Sequence, residues 1–321
     1  MKKRNKYSQL KRLIEQKNSF LITSHIHLEP DALGSELAFS CLLAAFGKQA
    51  VIVNDGVTPG RYHFMPGVGK IRRTTTLPFE VAVILDCSDL NRIGVVRSLI
   101  NDKIPIINID HHISNTLFGN YNLVDKNASS ACEIIYEIFK NLHVKLDKDI
   151  AFNLYCGIIT DTGSFHYANT ASKTLQIGAN LVEFGLDINS IYRQVNKIDK
   201  LSHARLIGSL LSQAKSAFKG KLIYLFLPDE VGVGDAIVRD LADQALNILR
   251  LINKAEVFLL LRAIKNNKYV RLNLRSNGKV DVNRIAKVFN GGGHQRAASA
   301  TIEGKLPIIK SRLFKEIGKF L

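Results

Sequence analysis

The sequence predicts an α/β protein in two parts: a parallel-sheet domain with helices on both faces, then a smaller mixed α/β domain. Three observations carry this. Short continuous apolar runs alternate with amphipathic helical segments through the first half, the pattern of parallel strands buried on both sides. Polar and ionisable residues close those runs, where ligands of such sheets collect. The length of 321 residues suits two domains, and 46% hydrophobic with 22% charged residues is ordinary globular composition.

In chain order, strands are expected over residues 20–23, 50–53, 81–85 and 105–109, with a helix over about 32–46 between the first two. Ser24 and His25 close the first strand, Asp86 the third, and Asp110-His111-His112 the fourth. Helical patterns then cover about 129–140, 149–159 and 172–184. Residues 188–201 are polar with few Gly or Pro, which reads as a helical connector more than a floppy linker. Later strands are expected at 220–226, 256–264 and 269–274. The resulting division is residues 1–187, a connector over 188–204, and 205–321, without internal repeat or low-complexity tract.

Lys and Arg outnumber Asp and Glu by 44 to 28, and the formal charge of +16 favours polyanionic partners. Trp is absent and no basic stretch is interleaved with aromatics, so a stacking platform for long single strands is poorly supported and short substrates fit better. The four cysteines (Cys41, Cys87, Cys132, Cys156) are scattered with no close pair, so neither a disulfide framework nor a thiolate zinc site is suggested. A basic start (Lys2, Lys3, Arg4, Lys6, Lys11, Arg12) is followed by no apolar signal region, and no run reaches the roughly 18 apolar residues of a membrane span. The expected location is the cytoplasm, with no membrane contact.

Chemistry concentrates in a few turns. His25, Glu29 and Asp31 share one strand-to-helix turn, and Asp86, Asp110-His111-His112 and Asp161 add donors from other connections. Mixed carboxylate and imidazole ligands suit manganese, magnesium or zinc, and no usable thiolate is present for an iron-sulfur cluster. In the second half, Gly291-Gly292-Gly293 lacks β-carbons, so backbone N–H groups can approach an anion closely, with His294 and Arg296 beside them.

These motifs in this order, His25 to Asp31, Leu85-Asp86-Cys87-Ser88, Asp110-His111-His112 and Thr160-Asp161-Thr162-Gly163, resemble those of the DHH phosphoesterases. Leu274-Arg275-Ser276 followed by Gly291-Gly292-Gly293-His294-Gln295-Arg296-Ala297-Ala298 resembles the DHHA1-type substrate-binding domain. The likeness spans nearly the whole chain and is strongest to the bacterial nanoRNase and pAp phosphatase branch. It implies two Mn2+ ions per active site, with Mg2+ or Co2+ as alternatives. His25, Glu29 and Asp86 would hold one, and Asp31, Asp86, His111 and Asp161 the other, about 3.5 to 4 Å away, so that a water is activated for in-line attack.

By the same likeness, Asp110 and His112 are the catalytic pair, Asp110 steadying the ring of its neighbour and His112 facing the substrate phosphate or its leaving oxygen. Arg275 and Ser276 would grip one phosphate or sugar, and Gly291, Gly292, Gly293, His294 and Arg296 a terminal phosphate. Short oligoribonucleotides, dinucleotides and 3′-phosphoadenosine 5′-phosphate (pAp) are the implied substrates, and a homodimer the implied assembly. Two positions depart from the family pattern. Glu29 stands where Asp is usual, moving its carboxylate by about 1.5 Å, and Ser299 stands where Gly is usual.

Other readings use the same residues. A cyclic-dinucleotide or linear dinucleotide phosphodiesterase would need the same site, and loss of a metal through Glu29 would leave a non-catalytic nucleotide-binding module. A family pyrophosphatase would lack the glycine run, and a RecJ-type exonuclease would carry an added nucleic-acid-binding module.

Overall fold

The apolar runs of the first half assemble side by side in one parallel sheet. The structure, a computed structural model, describes residues 2–198, 200–229 and 235–321. The strands β1 (Ser19–Thr23), β2 (Gln49–Ile52), β3 (Val81–Leu85), β4 (Ile106–Asp110) and β5 (Tyr121–Val124) lie in the order β2-β1-β3-β4-β5. Every neighbouring pair is parallel. Helices α1 (Lys2–Gln16), α2 (Pro30–Ala45), α3 (Ala131–Leu142), α4 (Lys148–Asp161), α5 (Ser172–Val182) and α6 (Ile188–Val195) complete this part.

Side chains alternate across a strand, so the runs feed two cores. Phe20, Ile22, Val83, Leu85, Ile107 and Ile109 join a cluster with Leu10 and Ile14 of α1 and with apolar residues of α2, α3 and α4. Leu21, Ala82 and Ile84 face the other way, against Ile93, Val96 and Ile100. That second face is covered by Leu90–Leu99, a segment wound in the tighter 3-10 manner.

Helices α2 and α4 approach so closely that two glycines are required. A β-carbon on Gly34 would lie 2.4 Å from the Asn153 carbonyl oxygen; on Gly157 it would lie 2.3 Å from Cys132 Sγ and 2.9 Å from Asp31 Oδ1. Missing side chains here set how deep the first turn of α2 sits.

The chain divides into residues 1–197 and 198–321. The second unit comprises α7 (Leu201–Ser212), β6 (Lys215–Ala217), β7 (Leu222–Leu227), α8 (Asp235–Leu249), β8 (Val257–Ile264), β9 (Tyr269–Ser276), α9 (Val282–Val288), β10 (Gly292–His294), β11 (Ala297–Glu303) and α10 (Leu306–Gly318). Its six-stranded sheet runs β10-β11-β9-β8-β7-β6. Only the β7/β8 pair is parallel. Leu259, Leu261, Val270, Leu272 and Leu274 pack with α9 and α10 on one face. Ile223, Leu225, Phe258 and Leu260 pack with α7 and α8 on the other.

Several elements lie outside the sequence expectations. The basic start forms α1, whose Leu10 and Ile14 are fully buried. Tyr121–Val124 adds the fifth strand, and the glycine run enters the sheet as edge strand β10. Among the described residues no helix is long and apolar enough to cross a membrane.

Gly34→Ala places a β-carbon against backbone that cannot move aside, and urea unfolding should show a loss of about 1–3 kcal/mol, the usual scale of overpacking. Gly60→Ala, where no atom lies within 4 Å of the added carbon, should change stability little.

Candidate metal centre

The carboxyl ends of β1, β3 and β4 and the ends of two helices bring the ionisable residues together. His25 lies just beyond β1, Asp86 follows β3, and Asp110 ends β4 with His111 and His112 behind it. Glu29 is the N-cap residue of α2, with Pro30 opening the helix and Asp31 in its first turn. Asp161 is the last residue of α4. Asp86 adopts a left-handed backbone with φ 49°, unfavourable for most side chains but tolerated by Asp. It turns the carboxylate in among the histidines.

His25 Nε2 lies 3.6 Å from Glu29 Oε1 and 3.4 Å from Asp86 Oδ2. His111 Nε2 lies 3.4 Å from Asp86 Oδ1, 3.2 Å from Asp161 Oδ2 and 3.9 Å from Asp31 Oδ2. Three sets result, each with potential ligand atoms within 4.8 Å of one another: His25, Glu29 and Asp86; Asp31, His111 and Asp161; and Asp86, Asp110, His111 and His112. Asp86 and His111 each belong to two of them.

Asp31 is anchored from below. Its two carboxylate oxygens accept the backbone N–H groups of Ala131 (2.7 Å) and Cys132 (2.8 Å) at the start of α3, where the exposed N–H groups and helix dipole favour a negative charge. Ser130 caps that helix by accepting the Glu133 N–H at 3.0 Å.

Asp110 holds a ring two residues on. Its Oδ1 accepts the His111 backbone N–H at 2.8 Å and meets His112 Nδ1 at 2.6 Å. The expected partner was the ring of adjacent His111. The chain folds back on leaving β4, so the His111 backbone meets the carboxylate while its ring turns to Asp31, Asp86 and Asp161. Asn115 Nδ2 closes the arrangement, donating to Asp110 Oδ2 (2.6 Å), Asn108 Oδ1 (2.9 Å) and the Cys87 carbonyl (3.1 Å).

The electrostatics are those of crowded buried carboxylates. Burial and the charge of Asp86 push the Asp31 carboxyl up to about 6 against the pull of His111 and the α3 N–H groups. Burial and the charge of Asp31 push Asp161 well up. Burial opposes ionisation of Asp86, but the imidazoles of His111 and His25 close beside it outweigh it and hold this carboxyl well below the usual range. Burial alone would lower His25, yet Asp86 and Glu29 raise it to about 10. His111 is raised in the same way, mainly by Asp86 and Asp161. Asp86 Oδ1 is buried without a hydrogen bond. Oxygen and imidazole donors, an orphaned carboxylate oxygen and mutual repulsion relieved by positive charge together fit divalent metal.

Beneath β1 lies a pair that sequence reasoning missed. Glu36 is fully buried on α2, and its Oε2 accepts Asn54 Nδ2 at 2.8 Å. Asn54 Oδ1 in turn accepts the Ser24 N–H at 3.3 Å, beside His25. Burial pushes the Glu36 carboxyl up to about 8. An acid among the apolar residues of an otherwise buried helix was its only signal; the Ser130 to Glu133 capping pattern was likewise legible ahead of α3.

In the second unit, Arg275 Nη2 meets Asp243 Oδ1 at 3.2 Å. Ser276 is fully buried, its Oγ accepting the Gly278 N–H at 2.9 Å, and so shapes the turn after β9. Arg296 is exposed and stands against the bare face of Gly278. Gly291 and Gly293 are hemmed in by backbone of β11, whereas nothing lies within 4 Å of a β-carbon on Gly292. The His294 side chain lies outside the described residues.

Residues 19–158 match the model of the DHH family, N-terminal domain, and residues 202–319 that of the DHHA1 domain. A Thermus thermophilus protein named bifunctional oligoribonuclease and PAP phosphatase NrnA is 31% identical over 288 residues, covering 88% of this chain and 84% of that relative. An exopolyphosphatase-related protein from Bacteroides fragilis superposes with a TM-score of 0.89 at 24% identity, covering 98% of this chain and 96% of its own. RecJ of T. thermophilus, solved in complex with Mn2+, gives 0.56 at 15% identity, covering 99% of this chain and 55% of its own. At these identities the two solved structures speak for the fold alone.

Glu36 makes stability depend on pH in a defined direction. The unfolded acid ionises near 4.5 and the folded one near 8, so between those values the folded state binds the extra proton. Its contribution is therefore greatest below about 4.5 and is lost as pH rises to about 8, by up to about 1.4 kcal/mol per pH unit. Glu36→Gln cannot ionise. In metal-free buffer its stability relative to the parent should rise steadily from pH 5 to pH 8.

Proposed function

Because the chain belongs to the DHH family of phosphoesterases and carries a DHHA1 domain after the catalytic one, we propose that it hydrolyses short oligoribonucleotides to mononucleotides and pAp to AMP. It is a hydrolase of phosphoester bonds. The observation that carries the narrower reading is the buried constellation around Asp86, in a chain that shares 31% identity with an oligoribonuclease and PAP phosphatase.

His25, Glu29 and Asp86 would hold one Mn2+ ion, and Asp31, Asp86, His111 and Asp161 the other, with Mg2+ or Co2+ as alternatives. When bound, such ions supply positive charge to phosphoryl oxygens and acidify water. The rest of the chemistry belongs to the chain. Asp110 Oδ1 holds the proton on His112 Nδ1, so the proton exchanged with the leaving oxygen is the one on Nε2. Asn115 and the His111 backbone N–H fix Asp110 in place, and its hydrogen bond with His112 holds the carboxyl below the usual range against burial. Arg275, Arg296 and the Gly291–Gly293 backbone gather phosphate through charge-assisted and backbone hydrogen bonds, with His294 beside them. Ser276 contributes by setting the turn that brings Arg296 against Gly278. A cytoplasmic location and a homodimer belong to the same proposal and rest on the family likeness.

With Mn2+ present, purified protein should release mononucleotide from a 5′-phosphorylated dinucleotide and phosphate from pAp, and act little on long RNA or pyrophosphate. Asp86→Ala should show none of these activities. Turnover of long RNA at the dinucleotide rate would count against the reading, and so would turnover by Asp86→Ala.

Glu29 carries its carboxylate on a longer arm from the N-cap of α2. Titrating Mn2+, Mg2+ and Co2+ against activity should show Glu29→Asp changing the order of metal preference. Identical titrations would remove Glu29 from the metal site.

A further inference from the structure

The second sheet changes character across one of its faces. Under α7 and α8 that face is apolar, with Leu225, Phe258 and Leu260 in the cluster. On β9 and β11 the same face carries Arg271, Asn273, Arg275, Ser299 and Thr301, because Leu272, Leu274, Ala298 and Ala300 point to the opposite core. The register aligns Leu260, Asn273, Ser299 and Gly292 in a single row running to the sheet edge. That row ends bare, since Gly292 has open space where a side chain would stand.

Asn273 is the anomaly in the row. It is only 7% exposed, yet its carboxamide makes no hydrogen bond to any described residue, unlike its neighbour Arg275, which is tied to Asp243. Its amide nitrogen and oxygen still reach solvent, so donor and acceptor stand uncommitted on the ledge, open to a partner that binds there. The carboxamide offers a donor and an acceptor side by side. Beside it stand a hydroxyl on Ser299 and a glycine strand whose bare face lets a flat group lie close.

We propose that Asn273, with Ser299 across the strand pair, forms a subsite that binds the donor and acceptor groups of a nucleoside on the polar ledge of β9, β11 and β10. This deepens the phosphoesterase reading and rests on it for the identity of the substrate. Arg275, two residues on along β9, serves phosphate; Asn273 serves the uncharged remainder of the nucleotide. The matching groups occur on a base edge and on a ribose, and the two sources can be told apart.

The test uses the full-length protein with Mn2+ and compares parent, Asn273→Ala and Asn273→Gln. The substrates are 5′-phosphorylated dinucleotides of each base, their 2′-deoxy forms, and bis(p-nitrophenyl) phosphate, which has neither base nor sugar. Asn273→Ala should raise KM for ribodinucleotides about tenfold or more with kcat nearly unchanged, and leave the aryl diester untouched. Asn273→Gln should recover part of the loss. A penalty that varies with base assigns the base edge; one that disappears in the 2′-deoxy series assigns the ribose. Equal losses on the aryl diester, or a fall in kcat matched by a lower melting temperature, would make Asn273 structural and overturn the proposal. Calorimetric titration with AMP reads the subsite without turnover. Should the parent hydrolyse no dinucleotide, the phosphoesterase reading fails, while weaker AMP binding by Asn273→Ala would still support the subsite and equal binding would reject it.

Discussion

Like charges held close together inside a protein repel strongly, and the first unit is built around such a set. Glu29, Asp31, Asp86 and Asp161 converge on His25 and His111, and two of them, Asp31 and Asp86, are buried from the water that would screen them. The scaffold supplies part of the compensation. The N-terminus of α3 donates two N–H groups to Asp31, and the histidines are raised so that they share the burden. What is left over is a deficit of positive charge that a divalent ion satisfies.

That requirement explains features which otherwise look unrelated. The left-handed Asp86 turns one carboxylate to both histidines. The glycine contacts between α2 and α4 let Asp31 lie against α3 without a side chain intervening. Asn115, itself held by Asn108, donates to Asp110, whose other oxygen orients His112. Folding has to bring repelling groups together, and it does so by placing each one at the end of a well-packed element. The apolar sheet beneath offsets the repulsion.

The residues that cluster at the candidate metal centre were legible in the sequence because parallel sheets gather polar groups at strand ends: Asp86 and Asp110 close apolar runs and could be read without knowing the strand order. Glu36 and Asn54 were not legible. They are 18 residues apart, and only the pairing of β1 with β2 brings the end of one strand beside the other. Gly34 and Gly157 likewise acquire meaning only through the helix each one faces. Helix α1 was hidden by its charge, since Leu10 and Ile14 are sparse apolar positions on a basic segment. Strand β10 was hidden by its glycines, which read as loop because glycine is weak in strands; neighbouring backbone imposes the extended form. Asn273 carried no signal at all, since an asparagine between two leucines shows its face only once the register is known.

The three-residue strand β10 has a consequence beyond the ledge it borders. A sheet edge is an open row of backbone donors and acceptors to which another chain can add, and proteins commonly defend it with charge or by covering it. Here the edge is brief and opens with two glycines, so an incoming strand would find little length to match. The composition that keeps Gly292 open to a small molecule also discourages self-association along that edge, and a bulkier sequence there would sacrifice both.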